Sequence, residues 1–183
     1  LMHLVHPLHA FESRGAASVE LSAQVQRDDT KLQIHYLLHH TADLDLSWPE
    51  PAGNPERRDG LWQGTCFELF IGSLQQASYW ELNVCPSGRW NWYRLQSYRA
   101  VLSPAPLPMA PLRRQSVQRS EQRISRSMEL ELELPEELLS GGSLQAGLSV
   151  VLRCNDGATS HWALQHGGLD ADFHRRDDWI LKP

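Results

Sequence analysis

The sequence predicts an all-β protein, a single antiparallel β-sandwich of jelly-roll type occupying residues 1–183. Two observations carry this. Stretches in which apolar and polar residues alternate strictly by parity recur along the chain, the pattern of a strand with one face buried. Clusters of Gly, Pro, Asp and Ser separate those stretches at short intervals, as turns between sandwich strands do. About eight or nine strands are expected this way and almost no helix.

The elements follow in order. Val19, Leu21, Ala23 and Val25 alternate through 18–25, and Leu32, Ile34, Tyr36 and Leu38 through 31–38, with a turn at Asp28-Asp29. A Pro/Gly-rich loop runs from Trp48 to Gly60. Thr65, Phe67, Leu69 and Ile71 then alternate with Cys66, Glu68 and Phe70, and Trp80, Leu82 and Val84 with Tyr79, Glu81 and Asn83. Pro86-Ser87-Gly88 suits a reversal into a third strand, Trp90 to Leu95. Four prolines between Ser103 and Pro111 make that segment loop. Met128, Leu130, Leu132 and Leu134 alternate with Glu129, Glu131 and Glu133, which reads as a half-exposed strand with a solvated acidic face, not a metal cluster. Pro135 to Leu139 reads as one helical turn stopped by Gly141-Gly142. Strands are expected again at 144–152, 161–165 and 179–181.

Composition bounds the function. With 183 residues the chain is the size of one domain and buries about 70% of its unfolded surface. Its 17 Lys and Arg against 22 Asp and Glu give a net charge of -5, which argues against nucleic acid or an anionic membrane as a partner. Cys66, Cys85 and Cys154 form neither a zinc-type pair nor a disulfide framework and read as reduced thiols in a cytoplasmic protein. The N-terminal LMHLVHPLHAFESRG lacks the regions of a signal peptide, and no apolar run reaches the ~20 residues of a membrane span. No Gly-rich phosphate loop and no GxSxG elbow occurs.

The hairpin of Phe67 and Trp80 concentrates the chemistry. Folded about Leu74 and Gln75, it sets Phe67 against Leu82, Leu69 against Trp80, Glu68 against Glu81 and Cys66 against Asn83. One face is then core; the other carries two acids, an amide and aromatics. Two full charges ~5 Å apart repel by roughly 3 kcal/mol at an effective dielectric near 20. An arginine such as Arg94 or Arg99, a bound cation or protonation of one acid has to offset that. The functional reading is a pair that accepts hydrogen bonds from ligand hydroxyls or holds Ca²⁺; the structural reading is a Glu–Arg network organising the sheet.

The stretches DGLWQGTCFELF, YWELNVCPSGRWNWYRLQSYR and HWALQHGGLDADFHRRDDW resemble the DOMON-like domains related to the family 9 carbohydrate-binding modules, in particular a small bacterial subgroup. The similarity runs from the first strand pair to the C-terminus. It implies a β-sandwich that binds a ligand, by stacking sugars on tryptophans in some members and by holding haem through a Met paired with His or Lys in others. The expected function is therefore non-catalytic binding of a small polar molecule, a saccharide or related compound, on one sheet face. Trp62, Glu68, Glu81, Asn83, Trp90, Tyr93 and Arg99 are the candidate contacts, closed by His166 and His174 from the C-terminal loop. No cofactor is expected for saccharide binding. The alternatives are a noncovalent b-type haem domain, with His166 or His174 opposite Met109 or Met128, and an enzyme, either a two-carboxylate glycosidase or a metal-dependent hydrolase. His3, His6, His9, His39 and His40 read as surface residues.

Overall fold

A computed structural model describes residues 4–13, 16–100 and 103–183. The elements are β1 (His6–Ala10), β2 (Val19–Asp28), β3 (Lys31–Thr41), β4 (Cys66–Ser73), β5 (Tyr79–Val84), β6 (Trp90–Leu95), β7 (Ser103–Pro104), β8 (Leu112–Arg119), β9 (Arg123–Glu133), α1 (Glu136–Ser140), β10 (Leu144–Arg153) and β11 (Thr159–Ala163). Three short 3-10 turns complete them. The all-β expectation holds.

The eleven strands form one continuous sheet in the order β7-β6-β5-β4-β10-β11-β1-β2-β3-β9-β8. β1 is the corner at which it curls: His6, Pro7 and Leu8 pair with Ala23, Ser22 and Leu21 of β2, while His9 and Ala10 pair with Ala163 and Trp162 of β11. The two halves thereby face each other. Their apolar parities meet in one core, with Leu21, Ile34, Tyr36, Leu38, Met128 and Leu130 from one half and Phe67, Leu69, Ile71, Leu82, Trp92 and Val150 from the other. At roughly 25 cal/mol per Å² of apolar surface removed from water, this layer is the main source of stability.

Several expectations are corrected. β1, β7 and β8 were not legible as strands, and 179–181 makes only one bridge, Ala146 to Leu181. β4 and β5 pair as Phe67–Val84, Glu68–Asn83, Leu69–Leu82, Phe70–Glu81 and Ile71–Trp80, two positions away from the expected register. The cause is a longer connection: the ladder ends at Gly72–Tyr79, and Ser73 pairs with Leu144 instead. Because the slip is by two, every side chain keeps its expected face. His40 is 2% exposed, its Nδ1 bonded to the Thr41 carbonyl at 2.9 Å, and so is not a surface residue. His3 lies outside the described residues.

Candidate functional site

The second face of β4, β5 and β6 is not open. All eight positions of β4 and all six of β5 are buried. Phe70, Tyr79, Tyr93 and Leu95 form a separate apolar cluster there with Trp179, and the C-terminal segment covers them. Three anchors hold that cover. The Trp179 indole lies over Gly147, where an added Cβ would overlap it, and its Nε1 donates to the Phe173 carbonyl at 2.8 Å. The Arg176 guanidinium donates to the Ser73, Ala77 and Ser78 carbonyls at 3.0, 3.0 and 2.8 Å. Asp178 accepts from the backbone of Gly167 and from Arg175.

Between this cover and the sheet lies a cavity of about 340 Å³. Its floor is Glu68, Phe70, Glu81, Leu95 and Val151; Trp62, Arg99, Ala100, His161, Ala171, Phe173 and His174 form the walls. Trp62 sits on a 3-10 turn, Leu61–Gln63, entered through Gly60 in the left-handed region (φ 76°), and is 40% exposed. Its ring meets Tyr93 edge to face, the centroids 6.5 Å apart.

The acids dominate the floor. Glu68 and Glu81 are 3% and 4% exposed. They occupy diagonal positions on neighbouring strands, since Glu81 pairs with Phe70 and Glu68 with Asn83. Glu68 Oε2 accepts from the Ser149 hydroxyl at 3.1 Å, and Glu81 Oε1 from the Asn83 amide at 3.2 Å. Glu81 Oε2 is buried without a partner among the described residues. Burial pushes both carboxyls well above the usual carboxylate range, and the Glu81 charge adds to the rise at Glu68. Nearby Arg99 moderates the effect at Glu81.

His174 faces them. Its Nδ1 lies 2.7 Å from the Tyr79 hydroxyl, whose oxygen also accepts the Arg99 backbone N–H at 3.1 Å. Burial, reinforced by the Arg99 charge, lowers the imidazole to about 4, so the ring is neutral at physiological pH. With Nδ1 accepting the Tyr79 proton, the ring hydrogen is assigned to Nε2, which points at Glu81 Oε2 from 3.8 Å, too far for a hydrogen bond.

The structure thus brings Trp62, Glu68, Glu81, Arg99 and His174 to one cavity. Asn83 and Tyr93 support it from below, Asn83 through Glu81 and Tyr93 by donating to Asp59 at 2.6 Å. Trp90 is elsewhere: it shares parity with Trp92, is buried in the inter-half core and carries the Arg57 guanidinium 4.3 Å above its ring. His166 lies outside the lining, bonded through Nε2 to the His9 carbonyl at 2.8 Å, and holds the C-terminal loop to β1. Met128 is in the core and Met109 is exposed on a loop, so neither pairs with a histidine at the cavity. No cluster of three metal-ligating side chains occurs among the described residues. Sequence reasoning missed Phe70, Leu95, Val151, His161, Ala171 and Phe173. Phe70, Leu95 and Val151 were legible by parity, Phe70 and Leu95 because they share a face with Glu68 and Tyr93 and Val151 because it stands on the face of its strand opposite Val150; His161 lies on β11 paired with Val151, and the loop residues Ala171 and Phe173 carry no periodic signal.

No protein-family model matches the chain, and no curated protein matches it in sequence. Its fold does match solved structures. A "putative carbohydrate-binding protein" from Bacteroides uniformis is 13% identical with a TM-score of 0.64, over 97% of this chain and 84% of that one. A family 9 carbohydrate-binding module from Caldicellulosiruptor kristjanssonii, in complex with cellotriose, is 11% identical with a TM-score of 0.45, over 88% of this chain and 72% of the module. At this identity the first likeness establishes a shared fold.

Proposed function

We propose that the chain is a non-catalytic binding protein whose covered cavity holds a saccharide or similarly hydroxylated small molecule. One observation carries this reading: Glu81 lines the cavity floor, and its Oε2 is buried with no donor of its own among the described residues. A buried carboxyl oxygen left unmet costs free energy that a ligand donor relieves on binding. Around it the cavity combines a few fixed polar groups with the Trp62, Phe70 and Phe173 rings, the mixture that orients a ring bearing hydroxyls on its edge and C–H groups on its faces. The name of the Bacteroides uniformis protein of the same fold supports the same class of ligand. Both cavity acids rise from the floor on adjacent strands, whereas glycosidase carboxyls flank the scissile bond, which favours binding over hydrolysis.

Calorimetry against a panel of mono- and oligosaccharides tests the proposal. Dissociation constants of about micromolar to millimolar are expected, since each hydrogen bond contributes only about 0.5–1.5 kcal/mol net. Absence of heat from every sugar, with the protein folded, overturns it.

A further inference from the structure

The two acids on the cavity floor have no bonded cationic partner among the described residues. Its ionisable lining residues are Glu68, Glu81, Arg99, His161 and His174. Arg99 is already committed: Nη2 donates to Asp172 Oδ1 at 2.8 Å and Nε to the Tyr98 hydroxyl at 3.2 Å, while that hydroxyl donates to Asp172 Oδ2 at 2.5 Å. His161 is committed to Glu12, 2.6 Å from its Nδ1. His174 is neutral and directed by Tyr79. The donors that do reach the two floor acids, Ser149 and Asn83, are both uncharged. Two carboxyls therefore share a buried floor with no cation bonded to either among the described residues, and one oxygen of Glu81 is empty-handed.

We propose that the saccharide held here carries an ammonium group, as an amino sugar does, seated between Glu68 and Glu81. The inference rests on the saccharide reading above and deepens it. A neutral hydroxyl would meet Glu81 Oε2 but give neither buried carboxyl a cationic partner, so burial would go on disfavouring their ionised forms. An ammonium offers three donors and a full positive charge, so one group satisfies the empty oxygen and favours the ionised form of both acids. The aromatic rings of Phe70, Phe173 and Trp62 on the same lining add faces that attract a cation. An N-acetylated sugar has no such charge and is disfavoured.

The test is calorimetry of the wild-type chain at neutral pH with glucosamine, galactosamine and mannosamine, their neutral parent hexoses, their N-acetyl derivatives, and methylammonium chloride as an amine without a sugar. At least one hexosamine is expected to bind about tenfold more tightly than its parent, the difference between a charge-assisted and a neutral hydrogen bond. Added salt should weaken the hexosamine and leave the parent sugar unchanged. Glu81→Gln should bring the hexosamine down to the affinity of its parent, with a thermal melt confirming the fold; if that variant does not fold, the salt series and Glu68→Gln decide. Equal binding of hexosamines and parents overturns the ammonium and leaves saccharide binding standing. Methylammonium binding without any sugar overturns the saccharide reading and the amino sugar with it, as does silence from every compound.

Discussion

The hydroxyl of Tyr36 donates to the backbone carbonyl of Glu68 at 2.6 Å, across the core from one half of the sheet to the other. Tyr36 stands on β3 and packs its ring edge to face on Phe67, the centroids 5.0 Å apart. The bond fixes the backbone from which the Glu68 carboxyl rises on the opposite face, so core and cavity share one residue. Tyr36→Phe keeps the ring and deletes the bond. A loss of about 1 kcal/mol in urea denaturation is expected, the net worth of one intramolecular hydrogen bond. Stability equal to the parent's would show that the bond contributes nothing.

The acids give the unliganded protein a pH dependence with a definite sign. A carboxyl whose folded pKa lies above its unfolded value contributes stability that is complete below the unfolded value and lost as pH rises through the folded one. Glu68 and Glu81 are both shifted upward by burial. His174, lowered from 6.5 to about 4, acts oppositely: its contribution is complete above 6.5 and lost as pH falls toward 4. Above about pH 6.5 the unfolded chain's His174 is already largely neutral, and the acids act with little opposition from it. Stability should therefore fall between about pH 6.5 and about pH 8 and level off above that, by on the order of 1 kcal/mol per pH unit for each proton released. Thermal melts across that range check it, and Glu68→Gln should flatten the slope.

How much of this was legible follows from what each residue's signal depends on. Face assignment depends only on parity, so Leu69 was placed in the core and Glu68 opposite it without knowledge of any partner. Leu69→Ala should accordingly cost about 2–5 kcal/mol by denaturation. Register depends on the turn, and the 73–78 connection is shaped by bonds that sequence does not announce, such as Gln75 N to Ser73 Oγ at 3.1 Å and the Arg176 grip on three carbonyls. β8, LRRQSVQR, is an exposed edge strand with no apolar alternation to betray it. The cover over the cavity is irregular backbone held by individual side chains, which leaves no period to read.

That cover hinges on a glycine. Gly147 of β10 makes room for the Trp179 indole. Gly147→Ala should force the indole off the sheet, at a cost of about 1–3 kcal/mol for overpacking. Because Trp179 also anchors Phe173, a cavity wall, ligand binding should weaken together with stability. Thermal melts and calorimetry on the one variant check both halves, and a variant with unaltered melting would mean that Trp179 does not seat there.

Trp62 and Trp90 separate binding from folding. Both were candidate ligand contacts in the sequence, and the structure divides them: Trp62 is exposed on a cavity wall, Trp90 is 7% exposed in the core. Trp62→Ala removes a ring that packs only edge to face on Tyr93, so the fold should lose little. If the ring stacks on ligand, affinity should drop by roughly two- to tenfold, the equivalent of about 0.5–1.5 kcal/mol. Trp90→Ala should do the reverse. It empties a core site and frees the Arg57 guanidinium stacked upon it, so about 3–5 kcal/mol of stability should be lost, and any change in binding should follow unfolding. Denaturation and calorimetry on the two variants side by side make the comparison. Loss of binding in a fully folded Trp90→Ala protein, with Trp62→Ala unaffected, would move the ligand away from this cavity.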